Sequence, residues 1–189
     1  MESFDLQRHE RQAGGFNHPA RVWRVGRPAL LASVLAQLLL TTPLPAAPTR
    51  DGTGRVVAVT DGDTLVVDTA TGRHRVRLLG VDAPETGQRF GPAARDALAG
   101  LVLGRSVTLR VVGTDRYGRN VGLVERDGTE VNLAMVQDGW AWHDERLARR
   151  GELREAEAAA RQAGRGLWAD RSPVPPWVWR RERRGRERP

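Results

Sequence analysis

From Gly54 onward, apolar and polar residues alternate in short runs bounded by turn residues, the pattern of paired strands rather than of long helices. Arg55 to Thr60 (RVVAVT) and Thr64 to Asp68 (TLVVD) are β-branched runs separated by Asp61-Gly62-Asp63. Arg73 to Leu79 (RHRVRLL) alternates polar with apolar after a turn at Thr69 to Gly72. Together they predict a three-stranded meander. Gly91 to Leu103 then carries Ala94, Leu98, Leu101 and Val102 at helical spacing, with Pro92 suited to a first turn and Gly104 to a stop. Ser106 to Val112 and Asn120 to Glu125 read as two more strands around a polar, Gly-containing loop. After the Asp127-Gly128 turn, Asn132 is expected to cap a short helix to Asp138 with Leu133 and Val136 inward. Glu152 to Ala163 is an Ala- and Glu-rich helix stopped by Gly164. The order predicts a mainly β fold with helices, of the α+β class: a five-stranded OB-type β-barrel covered by three helices.

With 189 residues, the chain has room for one domain and its extensions. Hydrophobic residues at 40% and charged residues at 28% exclude collagen-like, fully disordered and multi-span membrane classes. There is no cysteine, which removes disulfide scaffolds, thiolate zinc sites, iron–sulfur clusters and cysteine nucleophiles. His9, His18, His74 and His143 are scattered, so any metal here must be held by oxygen.

The net charge of +7 is unevenly placed, and every basic side chain is Arg. Residues 51–170 hold 17 arginines against 18 acids, a net of −1, whereas 171–189 hold seven arginines against Glu182 and Glu187. The body is therefore close to neutral, and bulk charge does not make it a nucleic-acid binder. Near the start, Ala29 to Leu40 is an apolar run of 12 residues preceded by Arg21, Arg24 and Arg27 and followed by small residues to Ala47. Basic flank, short apolar core and small residues are the parts of a signal peptide, so the protein is expected to be exported, to a periplasm or the medium. The run is short for a bilayer span, and no stable membrane span is expected. The chain thus divides into a leader over 1–47, a folded body over 52–170, and a Pro/Trp/Arg-rich tail over 171–189. The tail's end is expected to be poorly ordered, with Trp177 and Trp179 docked on the body.

Three segments carry polar groups that a barrel does not need: Asp61-Gly62-Asp63-Thr64, Arg77 to Glu85 (RLLGVDAPE) and Asp115-Arg116-Tyr117-Gly118-Arg119. Alone, the first is an ordinary hairpin turn. In a meander, however, Asp63 at the start of one strand and Asp82 just past the end of the next fall at the same edge. Two carboxylates about 4 Å apart repel by roughly 4 kcal/mol at an effective dielectric near 20, so such a pair needs a cation or a proton. Oxygen ligands without His or Cys favour Ca²⁺ or Mg²⁺. Arg77 and Arg119 add two planar forks suited to a phosphodiester's non-bridging oxygens. Glu85 adds a carboxylate able to orient or deprotonate water.

From about Arg55 to Trp168, the chain resembles the staphylococcal nuclease (thermonuclease) family. VVAVTDGDTLVV, VRLLGVDAPE, the GPAA helix start, DRYGR, VNLAMVQDGWAW, AEAAAR and GRGLW all stand in family order. The resemblance implies Ca²⁺-dependent, sugar-non-specific endonuclease activity, hydrolysing DNA and RNA phosphodiesters and leaving 3′-phosphate ends. It implies Asp63, Asp82 and the carbonyl of Ala83 as metal ligands and Arg77, Glu85 and Arg119 as the catalytic set. Asp61 corresponds to an acid that helps to hold metal-bound water, and Tyr117 lies beside the phosphate. The expected partners are DNA and RNA, single-stranded or locally opened, acted on by a monomer. Ala83 replaces a threonine of the best-known member, which a backbone ligand tolerates. The tyrosines that cover the base in that member are missing after Trp142. A catalytically silent barrel that binds nucleic acid or protein is the alternative, and a calcium-binding structural module is a third; neither explains Arg77 and Arg119 together with Glu85 as well as the enzyme does.

Overall fold

In a computed structural model, residues 51–186 are described. The expected leader over 1–47, with its signal segment, lies outside the described residues. The two β-branched runs and the alternating run after them form the expected meander: β1 (Gly52–Asp61), β2 (Thr64–Thr69) and β3 (Gly72–Leu78), each antiparallel to the next. Alternation decides the faces, with Val76 and Leu78 of β3 buried and Arg73 and Arg75 turned outward. Two register shifts in β1, between Val56 and Ala58 and between Val59 and Asp61, bend that strand. It pairs with β5 (Ser106–Thr114) over Gly52 to Arg55 and with β2 from Gly54 to Asp61. β6 (Asn120–Arg126) runs antiparallel to β5 and closes the barrel by pairing in parallel with β3, Arg77 opposite Val121. Two short additions complete the sheets: β7 (Thr129–Glu130) on β6, and β4 (Val81–Asp82) paired with β8 (Trp142–His143).

The barrel interior holds Val56, Leu65, Val67, Val76, Leu78, Leu109 and Val124, all buried. Helices cover it with one apolar stripe each. α1 (Gly91–Val102) packs Ala94, Leu98 and Val102 against β1. α2 (Val131–Gln137) buries Val131, Met135 and Val136 against β6 and against α3 (Gly151–Gln162), which contributes Leu153, Ala156 and Ala160.

Two expectations are corrected. Asn132 does not cap α2: the helix begins at Val131, two residues earlier than such a cap would place it, and Glu130 stands at its N-cap. The Asn132 side chain is instead fully buried, where it accepts from Val124 N at 3.0 Å and donates to the carbonyls of Leu79 and Gly122 at 2.9 and 3.2 Å. An amide with both a donor and an acceptor joins the end of β3 to β6 at a place where backbone pairing alone is incomplete. The number of covering helices also differs, while the tail's last residues, 187–189, lie outside the described residues. Four helices rather than three occur among the described residues, because Pro176–Arg186 forms α4. The docking of the tail aromatics is borne out: Trp177 stacks edge-on to Trp142, which meets Trp168 likewise, and Trp179 lies against Gly87. No helix among the described residues is long and apolar enough to cross a membrane.

Replacing Asn132 by Ala leaves a buried amide N–H and buried carbonyl oxygens without this partner, which should cost about 3 kcal/mol of stability. Urea unfolding of the two proteins checks it; coincident midpoints would show that the amide clamp contributes nothing.

Candidate active site

The hairpin between β1 and β2 brings the first acids into place. Asp61 pairs with Thr64, and the two-residue turn Gly62-Asp63 is held by a bond from Asp63 N to Asp61 Oδ1 at 3.0 Å. Gly62 is required by close approach: a Cβ there would stand 2.6 Å from Ala83 Cβ and 2.8 Å from Ala94 Cβ. The turn is thus pressed onto the segment after β4, and the amide of Ala83 donates to Asp63 Oδ2 at 2.9 Å. That single bond unites two motifs twenty residues apart.

Arg77 leaves β3 on the outer face and spans both carboxylates. It is ion-paired with Asp63 through Nη1, and its Nη2 donates to Asp82 Oδ1 at 2.9 Å and to the Val81 carbonyl at 3.2 Å. Asp63 is nearly inaccessible and Asp82 wholly so. Burial, the largest single influence, would push the Asp63 carboxyl up, but the Arg77 charge together with the hydrogen bonds from Arg77, Ala83 and Asp61 outweighs it and holds Asp63 below the ordinary carboxylate range. Asp82 goes the other way. Burial raises it and the charge of Asp63 adds to the rise, against the bonds from Arg180 and the charge of Arg77. Half-buried Asp61 is pushed up to about 7, by burial first and then by the charge of Asp63.

Glu85 follows β4 on a loop tied down at both ends. Its carbonyl accepts from Gln88 N at 2.8 Å, and its amide donates to Gln88 Oε1 at 3.2 Å. Gly91 opens α1 directly against it; a Cβ at that position would overlap the Glu85 carbonyl oxygen at 1.9 Å. Across the cleft, Asp115 organises the β5–β6 loop by accepting from the amides of Tyr117 and Arg119 at 2.9 and 3.0 Å. Its other oxygen takes Arg119 Nε at 2.7 Å, while Arg119 Nη1 donates to Thr64 Oγ1 at 3.2 Å. Tyr117 stands at the rim, 64% exposed, with the guanidiniums of Arg116 and Arg119 over its ring.

These groups share one open cleft of about 840 Å³: Asp61, Asp63, Arg77, Ala83, Glu85, Tyr117 and Arg119 line it, and Asp82 lies beneath, bonded to Arg77. Every residue singled out from sequence is therefore gathered at one edge of the barrel. The donors fit a hard divalent cation in kind: two buried carboxylates that repel each other, with a backbone carbonyl beside them at Ala83. No group of three or more acidic, imidazole or thiol side chains suited to a metal occurs among the described residues, so the remaining ligands of such an ion would be backbone and water.

The sequence reading missed the residues that α4 and the segment after β8 contribute. Arg180 donates to Asp82 Oδ2 at 2.7 Å, to Asp82 Oδ1 at 3.2 Å and to Glu85 Oε1 at 2.5 Å. Arg184 and the Asp144–Arg146 pair also line the cleft, and Arg146 lies over Trp177. One signal was present: Pro176 can open a helix, and Trp177, Arg180 and Arg184 follow at spacings of three and four, a single helical face. Nothing local indicated which carboxylates that face meets.

Comparison with known proteins agrees with this geometry. The family model described as staphylococcal nuclease homologue matches residues 75–170. An uncharacterized endonuclease of Escherichia coli O157:H7 is 45% identical over 128 residues, covering 67% of this chain and 84% of its own. A micrococcal nuclease of Shigella flexneri is 38% identical over 164 residues, covering 81% and 93%. An uncharacterized endonuclease of Haemophilus influenzae is 38% identical over 159 residues, covering 84% and 88%. With its barrel closed by β3 and β6 and its charged groups gathered at one edge, the chain belongs to the staphylococcal nuclease homologue family.

Proposed function

We propose that the protein is a Ca²⁺-dependent, sugar-non-specific endonuclease that hydrolyses DNA and RNA phosphodiesters to 3′-phosphate ends. The observation that carries this reading is the convergence of two buried carboxylates, two arginine forks and a separate carboxylate, Glu85, on one open cleft. The nuclease names of the relatives support it. Asp63, Asp82 and the Ala83 carbonyl would hold the ion, with Asp61 orienting water beside them. Bound there, the ion supplies positive charge to a phosphoryl oxygen as charge builds in the transition state.

The chain's own residues do the rest. Arg119, fixed by Asp115, and Arg77, fixed by Asp63 and Asp82, present guanidinium donors to the non-bridging oxygens. Preorganisation matters more than charge here, because donors already held in place need no rearrangement when the phosphorus becomes five-coordinate. Glu85 accepts a proton from the attacking water. As the water oxygen bonds to phosphorus, the bond to the 5′ oxygen breaks and that oxygen leaves, protonated by solvent. Tyr117 at the rim flanks the bound strand. Export through the leader over 1–47 belongs to the same proposal and rests on its basic flank and apolar run.

Cleavage of single-stranded DNA with Ca²⁺, with Mg²⁺ and with chelator tests the reading. Glu85→Gln should lower turnover by orders of magnitude while the protein stays folded; full turnover would remove Glu85 from the reaction. Arg119→Ala should lose about 100-fold in kcat, as for the deletion of one preorganised donor, and a loss confined to KM would make it a binding residue. Asp63→Ala should abolish Ca²⁺ binding in calorimetry, and retained affinity would refute its place as a ligand.

A further inference from the structure

The tail helix is part of the site. Asp82 receives three hydrogen bonds, one from Arg77 and two from Arg180, and Arg180 alone connects Asp82 to Glu85. A fork that bridges two carboxylates, one of them wholly buried, meets the demand for positive charge that a divalent cation would also meet. The two cannot do so together. A divalent ion on Asp82 would take carboxylate lone pairs that Arg180 uses and would stand within a few ångströms of a fixed positive charge.

Of the two arginines on Asp82, Arg180 is the one placed to leave. Arg77 is 11% exposed, is rooted in the barrel wall as a residue of β3, and is also bound to Asp63 and the Val81 carbonyl. Arg180 is 33% exposed and rides on the last described element. Outside the cleft, α4 is held at its start by Trp177, edge-on to Trp142 and under Arg146, and by Trp179 against Gly87, with the Val174 carbonyl accepting from Gln88 Nε2 just before the helix.

We propose that Arg180 is an intramolecular competitor for the cation seat: it occupies Asp82 and Glu85 in the substrate-free protein, and a divalent ion binds Asp82 only by displacing it. This rests on the assignment of Asp82 as a cation ligand. While Arg180 is in place, Glu85 is engaged as an acceptor and the seat is closed. Ion binding therefore frees the base and opens the seat in one step, so the tail sets the ion concentration at which the enzyme switches on.

Calorimetric titration of the full chain with CaCl₂ alone, without nucleic acid, tests the competition in the parent protein, Arg180→Gln and Asp82→Asn. Arg180→Gln should bind Ca²⁺ at least 10-fold more tightly than the parent, a gain that a purely structural role for Arg180 would not produce. Equal or weaker affinity in Arg180→Gln, with binding abolished in Asp82→Asn, would overturn the competition and leave the cation seat standing. Ca²⁺ binding to none of the three proteins would overturn both. In the parent protein, saturating Ca²⁺ should also speed amide hydrogen exchange over residues 177–184; unchanged exchange there would overturn displacement even if the variant failed to fold.

Discussion

Two acidic side chains, Asp63 and Asp82, are buried together at one edge of the barrel, and their need for positive charge organises what surrounds them. An ionised carboxylate removed from water without compensation is expensive, and a second one beside it makes the first more so. Arg77 answers part of the demand by spanning both. Its own protonation is held still firmer, because the charges and hydrogen bonds of Asp63 and Asp82 together outweigh the burial that would weaken it. The arrangement is costly in stability terms and is retained at a cleft rather than in the core proper, which is where such arrangements serve chemistry.

The barrel makes this placement by geometry alone. Asp63 belongs to the β1–β2 turn, Arg77 to β3, Asp82 to β4, and Arg119 to the loop entering β6, and closure of β3 onto β6 brings these four to the same rim. Close contacts at Gly62 and Gly91 set the fine position. One presses the acidic turn onto Ala83, and the other seats the helix start against the Glu85 carbonyl. Neither glycine carries chemistry, yet a single methyl group at either would move an acid of the site.

The charge asymmetry of the chain has a structural counterpart. The body is nearly neutral and the segment after residue 170 strongly basic, a division that by composition alone suggests a solvated tail. The tail instead forms α4, and its arginines at 180 and 184 reach the cleft that holds the buried acids. Aromatic contacts at its start hold the helix, and the carboxylates attract the guanidinium one turn further on. Part of the basic excess is therefore spent on an internal electrostatic match.

Local pattern determined much of this protein. Alternation along RHRVRLL and the β-branched runs before it specify strands because side chains on a strand point to opposite faces in turn. The Asp61-Gly62-Asp63 hairpin follows from turn chemistry that is complete within a few residues. The candidate site was legible for the same reason: its acids and arginines lie at strand ends, and strand pairing sets where strand ends meet. What local pattern could not decide was every contact between segments distant along the chain. Asn132 looked like a helix cap because asparagine suits that position, yet its amide was recruited to Leu79, Gly122 and Val124, which come together only after the barrel closes. Arg180 shares a helical face with Trp177 and Arg184, but nothing near it in the chain names the carboxylates that this face meets. Its partners lie 95 and 98 residues earlier, and only the docking of α4 across the cleft chose them.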